Sequence, residues 1–254
     1  MFSKFGIPIA ILLAILGVWE SVVYLFDIPR YILPAPSKIV VTLFVEHAQL
    51  LKHTLVTLEE MLLGFALAVS IGIPLAVLMF EFPMLERAFY PYVIGSQTVP
   101  VFAIAPLLVL WFGFGIASKV VMAALIVFFA IVLNTLDGLK STDPDTVNLF
   151  RILQATRWQI LWKVRIPSAL PFIFSGAKIG ISISTIGAVI GEWVGAEAGL
   201  GFLMLYANGR LEVALVFAAI FCLTLLGLGL FGLMTLLERY AMPWRHQYNT
   251  LDIR

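Results

Sequence analysis

Five cations crowd into one polar stretch of this chain: Lys140, Arg151, Arg157, Lys163 and Arg165. With them stand Asp143, Pro144, Asn148, Phe150, Gln154 and Trp158. The chemistry these residues offer is recognition rather than bond-making. Guanidinium groups form charge-assisted hydrogen bonds to carboxylates, and tryptophan anchors protein interfaces. Asp143 followed by Pro144 is a strong helix start, a carboxylate at the N-cap with proline in the first turn. Val147, Phe150 and Leu153 then recur at i, i+3 and i+6. That spacing predicts a short helix whose apolar stripe lies in a groove of a partner protein. The competing expectation is a helix resting on lipid, with arginines at the headgroups and tryptophan at the boundary.

Two further polar sets interrupt apolar sequence. Ser96, Gln97 and Thr98 stand beside Pro100, where a proline frees a backbone carbonyl and loosens the helix. Ser182, Ser184, Thr185 and Glu192 fall in a later apolar run. Such groups either hold helices together or line a path through the membrane; as a group they are the candidate translocation path. Gly187, Gly191 and Gly195 repeat every fourth residue, a smooth strip for helix packing or for the seam between two copies. Lys178 is expected to reach the headgroups from inside its span.

No catalytic or metal-ligating set stands out. There is no phosphate-cradling G-x-x-x-x-G-K-[ST] loop and no H-E-x-x-H. His47, His53 and His246 read as loop residues without metal-ligand spacing, and no span carries paired acidic residues of the proton-relay kind. The single cysteine, Cys222, has no partner for an intrachain disulfide.

The elements that must position these residues are membrane helices. The chain of 254 residues is 61% hydrophobic and 12% charged, with mean hydropathy +1.03. Soluble domains carry about 25% charged residues. A spanning helix needs about 20 apolar residues, and the runs here are continuous rather than the short alternating segments of a β-barrel. The reading is an all-α polytopic membrane protein, one domain over 1–254, with six spans near 5–26, 54–80, 89–112, 118–139, 170–194 and 213–237. The polar stretch forms a loop at 140–168. After the first span, LPAPSK at 33–38 predicts a short helix capped by Ser37.

Six spans put both termini on one side. Lys4, Arg87, the five loop cations, Arg239, Arg245 and Arg254 share that side, against Arg30, Lys38, Lys52, Lys119 and Arg210 on the other. The positive-inside rule makes the first side cytoplasmic. The net charge of +1 gives no signal for nucleic acid.

The loop resembles the EAA loop of permease subunits of bacterial binding-protein-dependent ABC importers, running from Asp143-Pro144 through ATRWQ at 155–159 to Ile166-Pro167. LPAPSK at 33–38, VPVFAIAPLLVLWFGFGIASK at 99–119 and GEWVGAEAGLGFL at 191–203 are similar, in the same order, to the nitrate/sulfonate/taurine-type branch. The loop together with KVRIPSALPFIFSGAKIG resembles permeases for pyrimidine thiamine precursors or riboflavin. Two departures stand out. Asn148, Leu149 and Phe150 occupy the E-A-A positions, and Gln154 replaces the family's turn glycine.

The resemblance implies a permease of the bacterial cytoplasmic membrane that performs no bond chemistry. It implies two separate ATPase subunits holding ATP and Mg, with no cofactor on this chain. A second permease copy in a homodimer, or a sister subunit in its place, and an extracytoplasmic solute-binding protein complete the assembly. Coupling would rest on Asp143, Asn148, Phe150, Arg151, Gln154, Arg157 and Trp158. The solute implied is a vitamin precursor, with nitrate, a sulfonate or taurine as the alternative. A stand-alone channel or secondary transporter, or a membrane enzyme, would need ion-coupling charges or a catalytic set that the spans do not display.

Overall fold

A computed structural model describes residues 3–243, with side chains from residue 6. Eleven α-helices account for nearly all of the described residues. They are α1 (Ser3–Leu25), α2 (Pro36–Val45), α3 (His47–Glu81), α4 (Pro83–Ser96), α5 (Val101–Phe112) and α6 (Ile116–Lys140). After the polar loop's α7 (Pro144–Ile152) and α8 (Arg157–Ile160), a π-helical turn at Leu161–Arg165 leads into α9 (Ile166–Gly195). The last are α10 (Leu200–Gly209) and α11 (Val213–Ala241). Among the described residues, five helical segments are long and apolar enough to cross a membrane, and six if α4 and α5 count as one broken span.

The core is organised around α6, which buries Met122, Ala123, Val127, Ile131, Val132, Leu136 and Leu139. Two small-residue strips let neighbours close on it. On α3 the strip is Gly64, Ala68, Gly72 and Ala76. On α9 it is Gly176, Gly180, Ser184 and Ala188, with Gly187, Gly191 and Gly195 beside it. Apolar burial drives little helix association inside lipid, so close van der Waals packing of this kind must supply it. Ala123 sits between the two strips. A Cβ built on Gly187 would come 2.6 Å from the Ala123 backbone, and one on Gly64 would come 2.5 Å from its side chain. Gly191 closes on Lys119 and Gly195 on Phe114 and Val109. The glycine strip therefore packs α9 within its own chain, and its surface is not open as a seam between copies.

The expected third span is broken. α4 and α5 meet at 101° around residues 97–100. Of its three prolines only Pro100 stands at the break, as N-cap of α5; Pro91 and Pro106 lie within helices. Val93 of α4 packs with Val132 and Leu136 of α6. Ala105 and Leu108 of α5 pack with Met122. The break thus lies level with the middle of α6.

The N-terminal elements also differ from expectation. Ala35, not Ser37, is the N-cap of α2, and its side chain makes no cap bond. The capping carboxylate comes from α1: Glu20 accepts from the Ser37 amide at 3.0 Å and the Ser37 hydroxyl at 2.6 Å. Trp19 packs on Phe217 of α11 at 5.5 Å between ring centroids. Most other described α1 side chains are exposed.

Candidate functional site: the coupling loop and the span interior

Asp143 caps α7 as its sequence demands. Its carboxylate accepts from the Asp145 amide at 3.1 Å, the Thr146 amide at 3.1 Å and the Thr146 hydroxyl at 2.7 Å. These bonds, the Thr146 hydroxyl first, hold the Asp143 carboxyl below the usual carboxylate range. The cap is therefore in place above ordinary carboxylate pKa values and is lost as pH falls through this lowered one.

At the other end of α7, Gln154 adopts φ +58°. Its amide donates to the Arg151 carbonyl at 2.9 Å and that of Ala155 to the Phe150 carbonyl at 3.0 Å. This is the paired hydrogen-bond pattern of a Schellman terminus, with glutamine in the left-handed position that glycine usually takes. The turn expected of a glycine is kept without one. Gln154→Gly is expected to stabilise the loop by up to ~1 kcal/mol, because the left-handed cost of a Cβ outweighs the added freedom of the unfolded chain. Gln154→Val should cost about 1–2 kcal/mol. Thermal unfolding of the two variants in detergent checks the order.

α8 then starts on a capping box absent from the sequence reading. Gln159 Oε1 accepts from the Thr156 amide at 2.8 Å, and the Gln159 amide donates to the Thr156 hydroxyl at 3.3 Å. The T-x-x-Q spacing was the available signal.

The expected docking stripe turns inward. Val147 packs with Ile160 and Val164 of the same chain, with Phe150 and Ala155 against them. The large apolar groups left outside are Leu149, Ile152, Leu153, Trp158 and Trp162, the two tryptophans 63% and 64% exposed. Asn148 is exposed and accepts from Arg151 at 3.4 Å. Arg151, Arg157 and Arg165 line a cleft of about 390 Å³ together with Glu81. Arg165 ties the loop to the spans: it donates to the Leu139 carbonyl at 3.0 Å and lies 4.5 Å from the Phe80 ring centroid.

The candidate path residues divide. Gln97 and Thr98 are exposed at the α4–α5 break. Ser96 and Thr98 return their hydroxyls to the Val93 and Gly95 carbonyls, each at 2.7 Å. Ser182 and Thr185 line an open groove of about 400 Å³ shared with Thr224, Gly227 and Phe231 of α11. Ser184 is fully buried and bonds to the Ile181 carbonyl at 2.7 Å. Lys178 pairs with Glu238 of α11 at 2.7 Å, rather than extending alone to headgroups.

Glu192 is neither interfacial nor open. It is 1% exposed and accepts from Thr57 at 2.6 Å, from the Gly201 amide and, at 3.4 Å, from the Phe202 amide. Thr57 in turn accepts from the Leu200 amide at 2.8 Å, and His53 Nδ1 from the Gly199 amide at 3.0 Å. Those four amides open α10, and each helix start leaves four N–H groups without intrahelical partners. Here α3 and α9 supply all the acceptors. His53, Thr57 and Glu60 follow one another at i, i+4 and i+7 on α3, so His47 and His53 are helix residues, not loop residues. His246 lies outside the described residues, as do Arg245 and Arg254. Lys119 is 4% exposed and donates to the Phe114, Gly115 and Gly195 carbonyls, a cation at the ends of two helices. It is therefore a buried cation rather than one of the exposed charges opposite the loop side.

A helical core around α6, a capped loop between α6 and α9 and a polar joint at α10 make up a helical protein whose long apolar segments suit a membrane. Residues 68–241 match the family described as binding-protein-dependent transport system inner membrane component, and the chain belongs to that family. A formylaminopyrimidine transport permease protein of Halalkalibacterium halodurans is 40% identical, over 94% of this chain and 95% of that one. A riboflavin transport system permease protein of Chloroflexus aurantiacus is 39% identical, over 94% and 90%. A taurine transport system permease protein of Escherichia coli is 31% identical, over 94% and 89%. The fold is shared with a chain of the MetNI methionine ABC transporter in an inward facing conformation, at TM-score 0.67 and 20% identity, covering 77% of this chain and 97% of that one. The chain is an ABC importer permease, and its relatives are transport permeases.

Proposed function

We propose that this permease carries a neutral, ring-containing vitamin precursor, a pyrimidine or a flavin, into the cytoplasm. The observation behind this is the gradient of likeness: 40% and 39% identity to relatives named for formylaminopyrimidine and riboflavin, against 31% to one named for taurine. The composition of the candidate path agrees, with hydroxyls, a carboxamide and the Phe231 ring of the adjoining groove where an anion would call for cations. Taurine, a sulfonate or nitrate is the second reading.

The chain works as a homodimer on two ATPase subunits that hold ATP and Mg. The loop 140–168 faces the cytoplasm with both termini, a reading its cations support. Its exposed Leu149, Ile152, Leu153 and Trp158 dock on the ATPase, with the arginine cleft beside them. A solute-binding protein delivers the solute at the α10 end. The break at 97–100 lines the path, because irregular backbone at that depth is tolerated only against protein or water.

The test is uptake into proteoliposomes holding the chain with the ATPase and solute-binding protein of the same operon. Formylaminopyrimidine, riboflavin, taurine and nitrate are offered with and without ATP. ATP-dependent uptake of a ring compound is expected. Uptake of taurine or nitrate alone overturns the substrate reading, and uptake without ATP overturns the mechanism.

A further inference from the structure

The joint that holds α10 contains one group its hydrogen bonds leave over. Glu60 is 3% exposed, and its Oε2 finds no donor among the described residues. Glu60 stands three residues along the buried face of α3 from Thr57, whose hydroxyl donates to Glu192, and so faces the Glu192 carboxyl. Two ionised carboxylates side by side in a dry interior repel strongly. An unmet buried acceptor adds a further penalty.

The neighbours do not resolve the conflict. Lys119 directs its ammonium to the Phe114, Gly115 and Gly195 carbonyls. The Thr57 hydroxyl proton faces Glu192 Oε1 or the His53 carbonyl. His53 Nδ1 is an acceptor, engaged by the Gly199 amide. The other charged groups that act on the pair or on its neighbours are Lys52, Glu59 and Glu197. Counting Lys119, Glu60 and Glu192 alone, the buried set carries one negative charge too many unless a proton is bound.

We propose that Glu60 and Glu192 together bind a single proton, carried on Glu60 and donated to Glu192, and that this proton locks α10 and residues 196–202 to α3 and α9. Glu192 is the anion of the pair. It already accepts from a hydroxyl and two amides and faces the positive end of α10. Glu60 has no such donors, so the proton belongs there. Each carboxylate oxygen has two acceptor positions, which leaves Glu192 room for the Glu60 O–H. The inference concerns this chain's own carboxyls and stands whatever solute the permease carries.

The roles are asymmetric, and the test exploits that. Infrared spectra of the purified chain in lipid nanodiscs at neutral pH should show a carboxylic-acid C=O band that shifts in D2O and disappears in Glu60→Gln. Glu60→Gln still donates a hydrogen bond to Glu192 and should melt at or above the wild-type temperature. Glu192→Gln points an NH2 at backbone donors and should melt roughly 5–10 °C lower. Absence of the band from the wild-type chain overturns the proposal, as does a fall in Glu60→Gln equal to that in Glu192→Gln. If Glu60→Gln does not accumulate, Glu60→Asp keeps the acid and must move the band rather than leave it in place; an unmoved band overturns the assignment to Glu60.

Discussion

Arg157→Glu combined with Trp158→Ala is expected to abolish ATP-driven uptake and to strip the ATPase from the purified complex, while the permease itself still folds. Both side chains are exposed on α8, outside the small core of Val147, Ile160 and Val164 that holds the loop together. Their removal therefore costs the chain little stability, since surface substitutions away from such features usually stay within ±0.5 kcal/mol. The loss falls on the interface. A buried tryptophan and a paired arginine are the residue types that dominate interfaces, each contributing about 2 kcal/mol or more. Together they should weaken association roughly 10³-fold. Co-purification on a tagged ATPase measures this directly, and circular dichroism of the variant checks the fold. Normal uptake with an intact complex would remove α8 from the coupling surface. The companion pair Val147→Asp and Ile160→Asp should instead unfold the loop.

Gly199→Ala should be the most damaging single methyl group in the chain. Gly199 has φ +113°, where a Cβ is strained, and that Cβ would be driven into the Glu192 carboxyl. The backbone cost is about 1–3 kcal/mol. Displacing Glu192 then strands the Gly201 and Phe202 amides, each at a further 1–3 kcal/mol or so. We expect a fall of at least ~3 kcal/mol, read as a lower melting temperature in detergent. Gly229→Ala on α11 is the control: nothing lies within 4 Å of its Cβ position. That substitution should be neutral or stabilising by up to ~1 kcal/mol. Equal melting of the two variants would show that the α10 joint carries no strain or capping energy.

The parts legible in the sequence were those written locally. Continuous apolar runs announce membrane helices because a spanning helix must be apolar for some 20 residues together. Asp143-Pro144 announces α7 because a cap and its proline are adjacent. The third span reads as continuous: Pro100 marks a loosened helix, but its sequence does not show that the two halves meet at 101°. The α7 stripe had the right period and the wrong destination, since residues 160 and 164 return to cover it. The α10 joint was invisible for a different reason. Two of its acceptors sit on α3 and its donors at 199–202, some 143 residues apart for Thr57 and Leu200. No spacing rule joins them. Glu20 shows the same limit on a smaller scale: a lone carboxylate in an apolar helix signals a partner but does not say which.

The break at residues 97–100 bears on what happens to this chain before it meets any partner. Two helix ends meet there beside the middle of α6, so main-chain groups that an unbroken helix would satisfy are left to find other company. Acyl chains offer none. Gln97 and Thr98 donate to the Ile94 and Gly95 carbonyls, and in the proposed homodimer a second copy would shield what the break leaves open. Under that proposal assembly would serve as proofreading, with unpaired copies exposed to membrane proteases. The cell's stock of permease would then be set by how fast copies find each other, not by how fast they are made.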